Sequence, residues 1–196
     1  MNSIARIPLS AIKGRGAASR IAHRFERDAR DPFDDGWETV AQTVADGASP
    51  PATQVTFEDA RSIITGNDSP DIYFEHSINP YRGCEHGCVY CYARPTHSYL
   101  GLSPGLDFET RLVAKRNIAT VLRAELSRPA YRPTGIAIGT VTDCYQPVER
   151  ELRLTRAVIE LFHETRHPFA LVTKSSGVER DLGLIAPMAA QGLAAV

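Results

Sequence analysis

From about residue 71 the chain alternates short apolar runs with longer amphipathic ones. Asp71-Ile72-Tyr73-Phe74-Glu75-His76-Ser77-Ile78 is β-branched and aromatic, which predicts a strand. Gly135-Ile136-Ala137-Ile138-Gly139-Thr140-Val141, between Pro133 and Asp143, has the short continuous hydrophobicity of a buried strand. Pro168-Phe169-Ala170-Leu171-Val172-Thr173 repeats that pattern, and Gly192-Leu193-Ala194-Ala195-Val196 begins a fourth strand. Between these runs the period changes. In 149–165, Leu154, Val158, Leu161 and Phe162 recur at helical spacing, with Arg153, Arg156, Glu160 and Glu164 on the other side. A second helix is predicted over 109–127, ended by Pro129, and a shorter one over 180–191, ended by Gly192. Strands and helices in strict alternation predict parallel βαβ units and an α/β fold.

The first third has a different texture. Residues 1–30 carry seven basic and two acidic side chains, whereas 31–60 carry seven acids and no base. Few aliphatics fall in periodic register there, and Gly14, Gly16, Gly36, Gly47, Pro50 and Pro51 interrupt what there is. Such a segment buries little apolar surface, so 1–66 is expected to be a largely irregular extension to a domain over 67–196. Its basic section leaves two readings open, a contact with nucleic acid or a solvated tail whose halves attract each other. Trp37, the only tryptophan, is expected to anchor this tail.

Composition narrows the class. The 196 residues are 43% hydrophobic and 23% charged, with a net charge of −1. This excludes collagen-like, wholly disordered and membrane-spanning chains, and no run reaches the ~20 apolar residues of a spanning helix. Three of the four cysteines, Cys84, Cys88 and Cys91, lie within eight residues. Thiols this close cannot staple distant loops, so they read as ligands in a reducing compartment, and the expected location is the cytoplasm. Residues 1–25 contain arginine and serine but no acid, a composition shared with transit peptides.

The cysteines sit in Asn79-Pro80-Tyr81-Arg82-Gly83-Cys84-Glu85-His86-Gly87-Cys88-Val89-Tyr90-Cys91-Tyr92, after the first predicted strand. Gly83 and Gly87 allow the tight turns that would aim three sulfurs at one point. Thiolates suit zinc or iron–sulfur clusters. Structural zinc needs a fourth ligand, here His86 or His97, and electron-transfer clusters use four cysteines, so that Cys144 would have to contribute from a distance. The third alternative is a cluster on three cysteines with one iron left open.

Cys-x3-Cys-x2-Cys with Tyr90 before the last cysteine resembles the signature of the radical S-adenosylmethionine enzymes. Further phrases are similar to the bacterial group classed with DNA repair photolyases of the spore photoproduct lyase type. They are Lys13-Gly14-Arg15-Gly16-Ala17, Asp34-Asp35-Gly36-Trp37, Ser69-Pro70-Asp71-Ile72 and the cysteine segment itself. Ala93-Arg94-Pro95-Thr96-His97, Ser103-Pro104-Gly105-Leu106-Asp107-Phe108-Glu109, Thr142-Asp143 with Tyr145-Gln146-Pro147, and Thr173-Lys174-Ser175 complete the set.

The resemblance implies a partial (β/α) radical SAM barrel whose Cys84, Cys88 and Cys91 hold a 4Fe-4S cluster. S-adenosylmethionine would chelate the open iron and be cleaved reductively to a 5′-deoxyadenosyl radical, which takes a hydrogen atom from the substrate. It further implies that Tyr90 lies against the adenine, and that Thr142, Asp143 and Lys174 contribute to cofactor binding. The implied partners are an electron donor such as flavodoxin or ferredoxin and an unidentified substrate, with nucleic acid a candidate. The zinc alternative pairs the three cysteines with His97 and gives the basic tail to nucleic acid.

Two departures from the family pattern stand out. Only 112 residues follow Cys84, short of the family barrel, so the chain reads as C-terminally truncated, which leaves open an inactive fragment. The group usually has proline between the Asp and the Tyr, where this chain has Cys144. Spore photoproduct lyase uses a cysteine near this strand end. Val141 occupies the nearest comparable place here, and Cys144 is not assigned that role.

Overall fold

The computed structural model describes residues 15–26 and 52–196. The expectations for Trp37 and for most of the charged tail lie outside them. Residues 15–26 carry no regular element. Four strands follow: β1 (Gln54–Glu58), β2 (Thr65–Gly66), β3 (His76–Ile78) and β4 (Tyr81–Arg82). A 3-10 helix at Arg94–Leu100 precedes α1 (Asp107–Thr110), β5 (Arg111–Lys115), α2 (Ile118–Leu126) and β6 (Ile136–Ile138). Then come α3 (Glu149–Leu152), α4 (Leu154–Thr165) and β7 (Phe169–Leu171). A second 3-10 helix (Ser176–Asp181), α5 (Leu182–Ala189) and β8 (Ala194–Ala195) complete the chain. None of the described helices is long and apolar enough to cross a membrane.

The four expected strands lie side by side, the first of them only over His76–Ile78, because residues 71–75 form a turn and bends with Tyr73 exposed. The larger sheet has the order β2-β3-β6-β7-β8; β3, β6, β7 and β8 are parallel, and β2 caps the edge antiparallel. It is open, and no closed barrel forms among the described residues. Ile78, Ile138 and Leu171 stand in one register row, with Ile136 beside Phe169 in another. These side chains enter one buried cluster with Ile118 and Leu122 of α2 and with Val158, Ile159, Leu161 and Phe162 of α4. The period of two along each strand puts Ser77, Ala137, Ala170 and Ala195 on the opposite face.

Two of the expected helices are broken, each for a visible reason. Within 109–127, residues 111–115 are a strand, because Leu112 and Ala114 are buried and the segment pairs with β1 on one side and β4 on the other. Tertiary pairing overrides helix propensity there. The smaller sheet therefore has the order β1-β5-β4, and β1 comes from the part of 1–66 expected to be irregular. Within 149–165, Arg153 takes a left-handed φ of 53° and ends α3. The buried Glu149 then accepts the amides of Thr155 and Arg156 at 3.0 and 3.2 Å, supplying the first turn of α4 with acceptors that a continuous helix would not need.

The two sheets are joined through α2. Asn117 exchanges two hydrogen bonds with the backbone of Ala60, both at 2.9 Å. The buried Glu125 carboxylate accepts the amides of Ile63 and Ile64 and the hydroxyl of Ser62. The segment between β1 and β2 is thereby tied to the helix that covers the larger sheet.

Candidate functional site

The cysteine segment leaves β3, forms β4 and crosses to the smaller sheet. Tyr81 and Arg82 pair with β5, so the residues immediately before the first cysteine are fixed by a strand ladder. Gly83 has φ 81°, and a Cβ there would stand 2.8 Å from the Phe108 carbonyl, so both the turn and the close approach require glycine. The Cys84 amide donates to that same carbonyl at 2.8 Å. Cys84 is only 6% exposed and packs with Ala93 and Phe108, whereas Cys88 and Cys91 are half-buried.

The loops after β6 and β7 meet this segment. Together they enclose a cavity of about 590 Å³ lined by Cys84, Cys88, Cys91, Tyr90, Thr142, Asp143 and Lys174, among others. Every residue expected at the site is thus brought to one place, at the ends of parallel strands where α/β folds put their ligands. The volume lies in the range of small-molecule sites. Tyr90 is 81% exposed, and Tyr92, also exposed, donates its hydroxyl to the Thr140 carbonyl.

Thr142 and Asp143 work chiefly on the protein. The Thr142 hydroxyl donates to the Gly83 carbonyl at 2.7 Å and accepts from the fully buried Gln146 at 3.1 Å. Gln146 also accepts the Glu85 amide at 3.0 Å, so both residues grip the backbone around Cys84. Asp143 accepts the Tyr145 amide and the Thr173 hydroxyl on one oxygen and the Lys174 amide on the other. His86 Nε2 stands 3.4 Å from that second oxygen. Burial alone would raise the Asp143 pKa, but His86 and these hydrogen bonds together bring it down to about 2. Asp143 therefore joins the loop after β6 to the loop after β7.

Lys174 extends its ammonium to the Cys88 sulfur at 2.6 Å, and this contact raises the lysine pKa. Burial pushes the Cys84 thiol up to about 11. Cys144 points away from the cavity into the main core, with its thiol 3.7 Å from the Val172 carbonyl, and burial pushes its pKa well above the usual value. It is not placed to act as a fourth ligand. The two histidines considered for zinc are also absent from the cavity wall. His97 is fully buried, bonds the Arg111 carbonyl through Nε2 at 2.9 Å and sets its ring edge against Phe108. Among the described residues, no three His, Cys, Asp or Glu side chains are gathered closely enough to hold a metal ion. The donor chemistry still fits a thiolate-held group: three free thiols share one cavity wall with a cation.

Arg94, Glu109 and Gly16 carry no site expectation of their own in the sequence. In the structure Glu109 is 0% exposed and pairs with Arg94 at 2.5 Å, while Arg94 also donates to the Cys88 carbonyl. Gly16 lies in an Arg-Gly pair far upstream that nothing in local periodicity connects to the cysteines, while Arg94 and Glu109 follow the cysteines as charged residues whose burial no local pattern signals.

The chain is 40% identical over 166 residues to an uncharacterized protein of Mycobacterium tuberculosis, covering 82% of this chain and 49% of that protein. An uncharacterized protein of Mycobacterium bovis matches to the same extent. An uncharacterized protein of Methanocaldococcus jannaschii is 28% identical over 110 residues, 56% of this chain and 39% of its own length. The chain spans about half the length of the mycobacterial relatives it matches. No family model matches it, and no solved structure does.

Proposed function

We propose that this chain forms the cofactor-binding part of a radical S-adenosylmethionine protein, with its open parallel sheet as one portion of a (β/α) barrel. The observation that carries this reading is the shared cavity, in which Cys84, Cys88 and Cys91 meet Lys174 at the ends of β6 and β7. Cys84, Cys88 and Cys91 would hold a 4Fe-4S cluster, leaving one iron for the cofactor. When bound, that pair supplies one-electron cleavage of a sulfonium bond and hence a carbon radical able to take a hydrogen atom.

The residues present support distinct tasks. Cys84 needs a metal cation to lose its proton, because burial holds the thiol in its neutral form. Lys174 places its ammonium beside the Cys88 sulfur. A metal-bound thiolate carries less charge, which frees the same ammonium for the carboxylate of a cofactor. Asp143 holds the backbone of Lys174, so the ammonium starts from a fixed point. Tyr90, Tyr92, Val141 and Val172 give the cavity mouth an apolar rim that would exclude water once a substrate is seated. The substrate is unassigned, with nucleic acid a candidate, and an electron donor of the flavodoxin or ferredoxin type is required. Free thiols at the site suit a reducing compartment such as the cytoplasm.

The test is anaerobic reconstitution with iron and sulfide, followed by EPR of the reduced protein with and without S-adenosylmethionine. About four irons per chain and a spectrum altered by the cofactor are expected. Zinc retained in place of iron, or a cluster indifferent to the cofactor, would overturn the proposal.

A further inference from the structure

The segment Arg15–Glu26 lies far from the cysteines in sequence, yet it runs against the outer side of their loop. Gly16 is the point of closest approach. Its amide donates to Glu109 Oε2 at 2.9 Å, and a Cβ on it would stand 1.8 Å from the Gly87 carbonyl oxygen. On the facing strand of backbone, Gly87 has φ 62°, and a Cβ there would meet Glu109 Oε2 and the Gly16 amide nitrogen, both at 2.9 Å. The two backbones are therefore packed with no room for a side chain between them, over a carboxylate that is itself buried.

That carboxylate is neutralised by Arg94, which is also the residue that reaches Cys88. Arg94 Nε and Nη2 donate to the Cys88 carbonyl at 3.1 and 2.9 Å, and Nη1 donates to the Gly105 carbonyl at 3.1 Å. One planar guanidinium thus bridges the cysteine loop, the loop before α1 and Glu109, which a single ammonium could not do. Arg15 ties the arm down on both sides, donating to the Glu109 carbonyl at 2.8 Å and to Thr53 just before β1 at 3.1 Å. Further along, Ser103 exchanges two hydrogen bonds with the backbone of Ile21, and the Leu106 amide donates to the Ser19 carbonyl.

We infer that the N-terminal arm, through Gly16 and the Arg94–Glu109 pair, is a clasp on the two carbonyls that flank Cys88 and a positioning element of the thiol site. Gly16 confines the Gly87 carbonyl by contact, and Arg94 holds the Cys88 carbonyl by hydrogen bonds. Between them the backbone of Cys88 has one orientation, which aims its sulfur at Lys174. Cys84 is fixed independently by Phe108 and Gln146, and Cys91 is coupled to the clasp through its amide, which donates to the Cys88 carbonyl. The clasp rests on the cluster proposal only for its purpose, since its geometry concerns the apo protein.

The experiment uses the full chain, reduced and metal-free, with iodoacetamide as the probe and peptide-level mass spectrometry to follow each cysteine. Gly16→Ala forces the arm off Gly87, and Glu109→Gln keeps an acceptor for the Gly16 amide while removing the charge that holds Arg94. Cys88 alkylation is expected to rise roughly tenfold in Gly16→Ala and severalfold in Glu109→Gln, the scale set by loss of one charge-assisted contact. Cys84 should stay protected and the melting temperature near that of the parent chain. Unchanged Cys88 reactivity in both variants would overturn the clasp, and so would a uniform rise at all cysteines with a collapsed melt. Iron loading is measured in parallel. If the parent chain takes up no iron while the variants selectively unmask Cys88, the clasp stands and the cluster proposal falls. If the parent loads a cluster and the variants match it in both loading and alkylation, the cluster proposal stands and the clasp falls.

Discussion

The two sheets of this protein are held by different forces. The larger one is an apolar sandwich in which Ile78, Ile136, Ile138, Phe169 and Leu171 press against the helices. The smaller one, β1-β5-β4, has a half-exposed outer strand and is secured by polar contacts: Asn117 to Ala60, Arg116 to Asp59, and Arg15 to Thr53. The first supplies the cohesion of the domain and the strand ends that open on the cavity. The second buries Tyr81, Leu112 and Ala114 on its inner side and supplies position, since β4 leads directly into Cys84. Stability and placement of the site are thus assigned to separate parts of the molecule.

The sharpest way to break this division is to damage the larger sheet. Phe162 is fully buried and stacks on Phe169. Phe162→Ala should cost about 3–5 kcal/mol in urea unfolding. A loss below about 1 kcal/mol would mean that the core is not where stability resides. Cutting the joint between the sheets comes next. Glu125→Ala leaves the amides of Ile63 and Ile64 without their acceptor, and should cost on the order of 2 kcal/mol. Hydrogen exchange should show the loss concentrated at 60–66, and an even spread over the larger sheet would contradict the role given to Glu125.

A pH experiment sharpens the comparison at the loops. The Asp143 pKa is depressed in the folded chain, so its contribution is complete above the ordinary carboxylate range near 4 and is lost as pH falls through about 2. Asp143→Asn should therefore destabilise by about 2 kcal/mol at pH 6, and the difference from the parent should shrink steadily between pH 4 and pH 2. A difference independent of pH would show that the carboxylate charge is not what joins the two loops. The smallest effect is expected at the edge of the smaller sheet. Arg116 and Asp59 form an exposed ion pair, and Arg116→Ala should leave the urea unfolding midpoint indistinguishable from that of the parent chain. A measurable loss would make the smaller sheet a stabilising unit in its own right.

Legibility followed the same division. β6, β7 and β8 could be read because each is apolar and bounded by Gly, Pro or Asp, and the intervening Leu154–Phe162 pattern because it has a helical period; β3 was signalled by Ile72-Tyr73-Phe74 but forms just beyond them. Residues 111–115 could not, because Arg-Leu-Val-Ala-Lys fits a helix as well as a strand and only its neighbours β1 and β4 decide. Cys84, Cys88, Cys91 and Lys174 were legible from spacing, strand-end placement and resemblance. Thr142 and Asp143 were also expected at the site, but their protein partners, Gly83, Gln146 and the loop after β7, were visible only in three dimensions.

Local pattern thus determined four of the strands, that these four run parallel, and that three thiols stand near their ends, because these properties depend on side-chain periodicity and short spacings. Tertiary structure alone decided that β1 pairs with β5, that Glu149 breaks a long helix in order to cap its second half, and that Gly16 closes on Gly87. The first and the last of these join residues tens of positions apart through backbone groups, and backbone groups are the same at every position of the chain until the fold selects which of them meet.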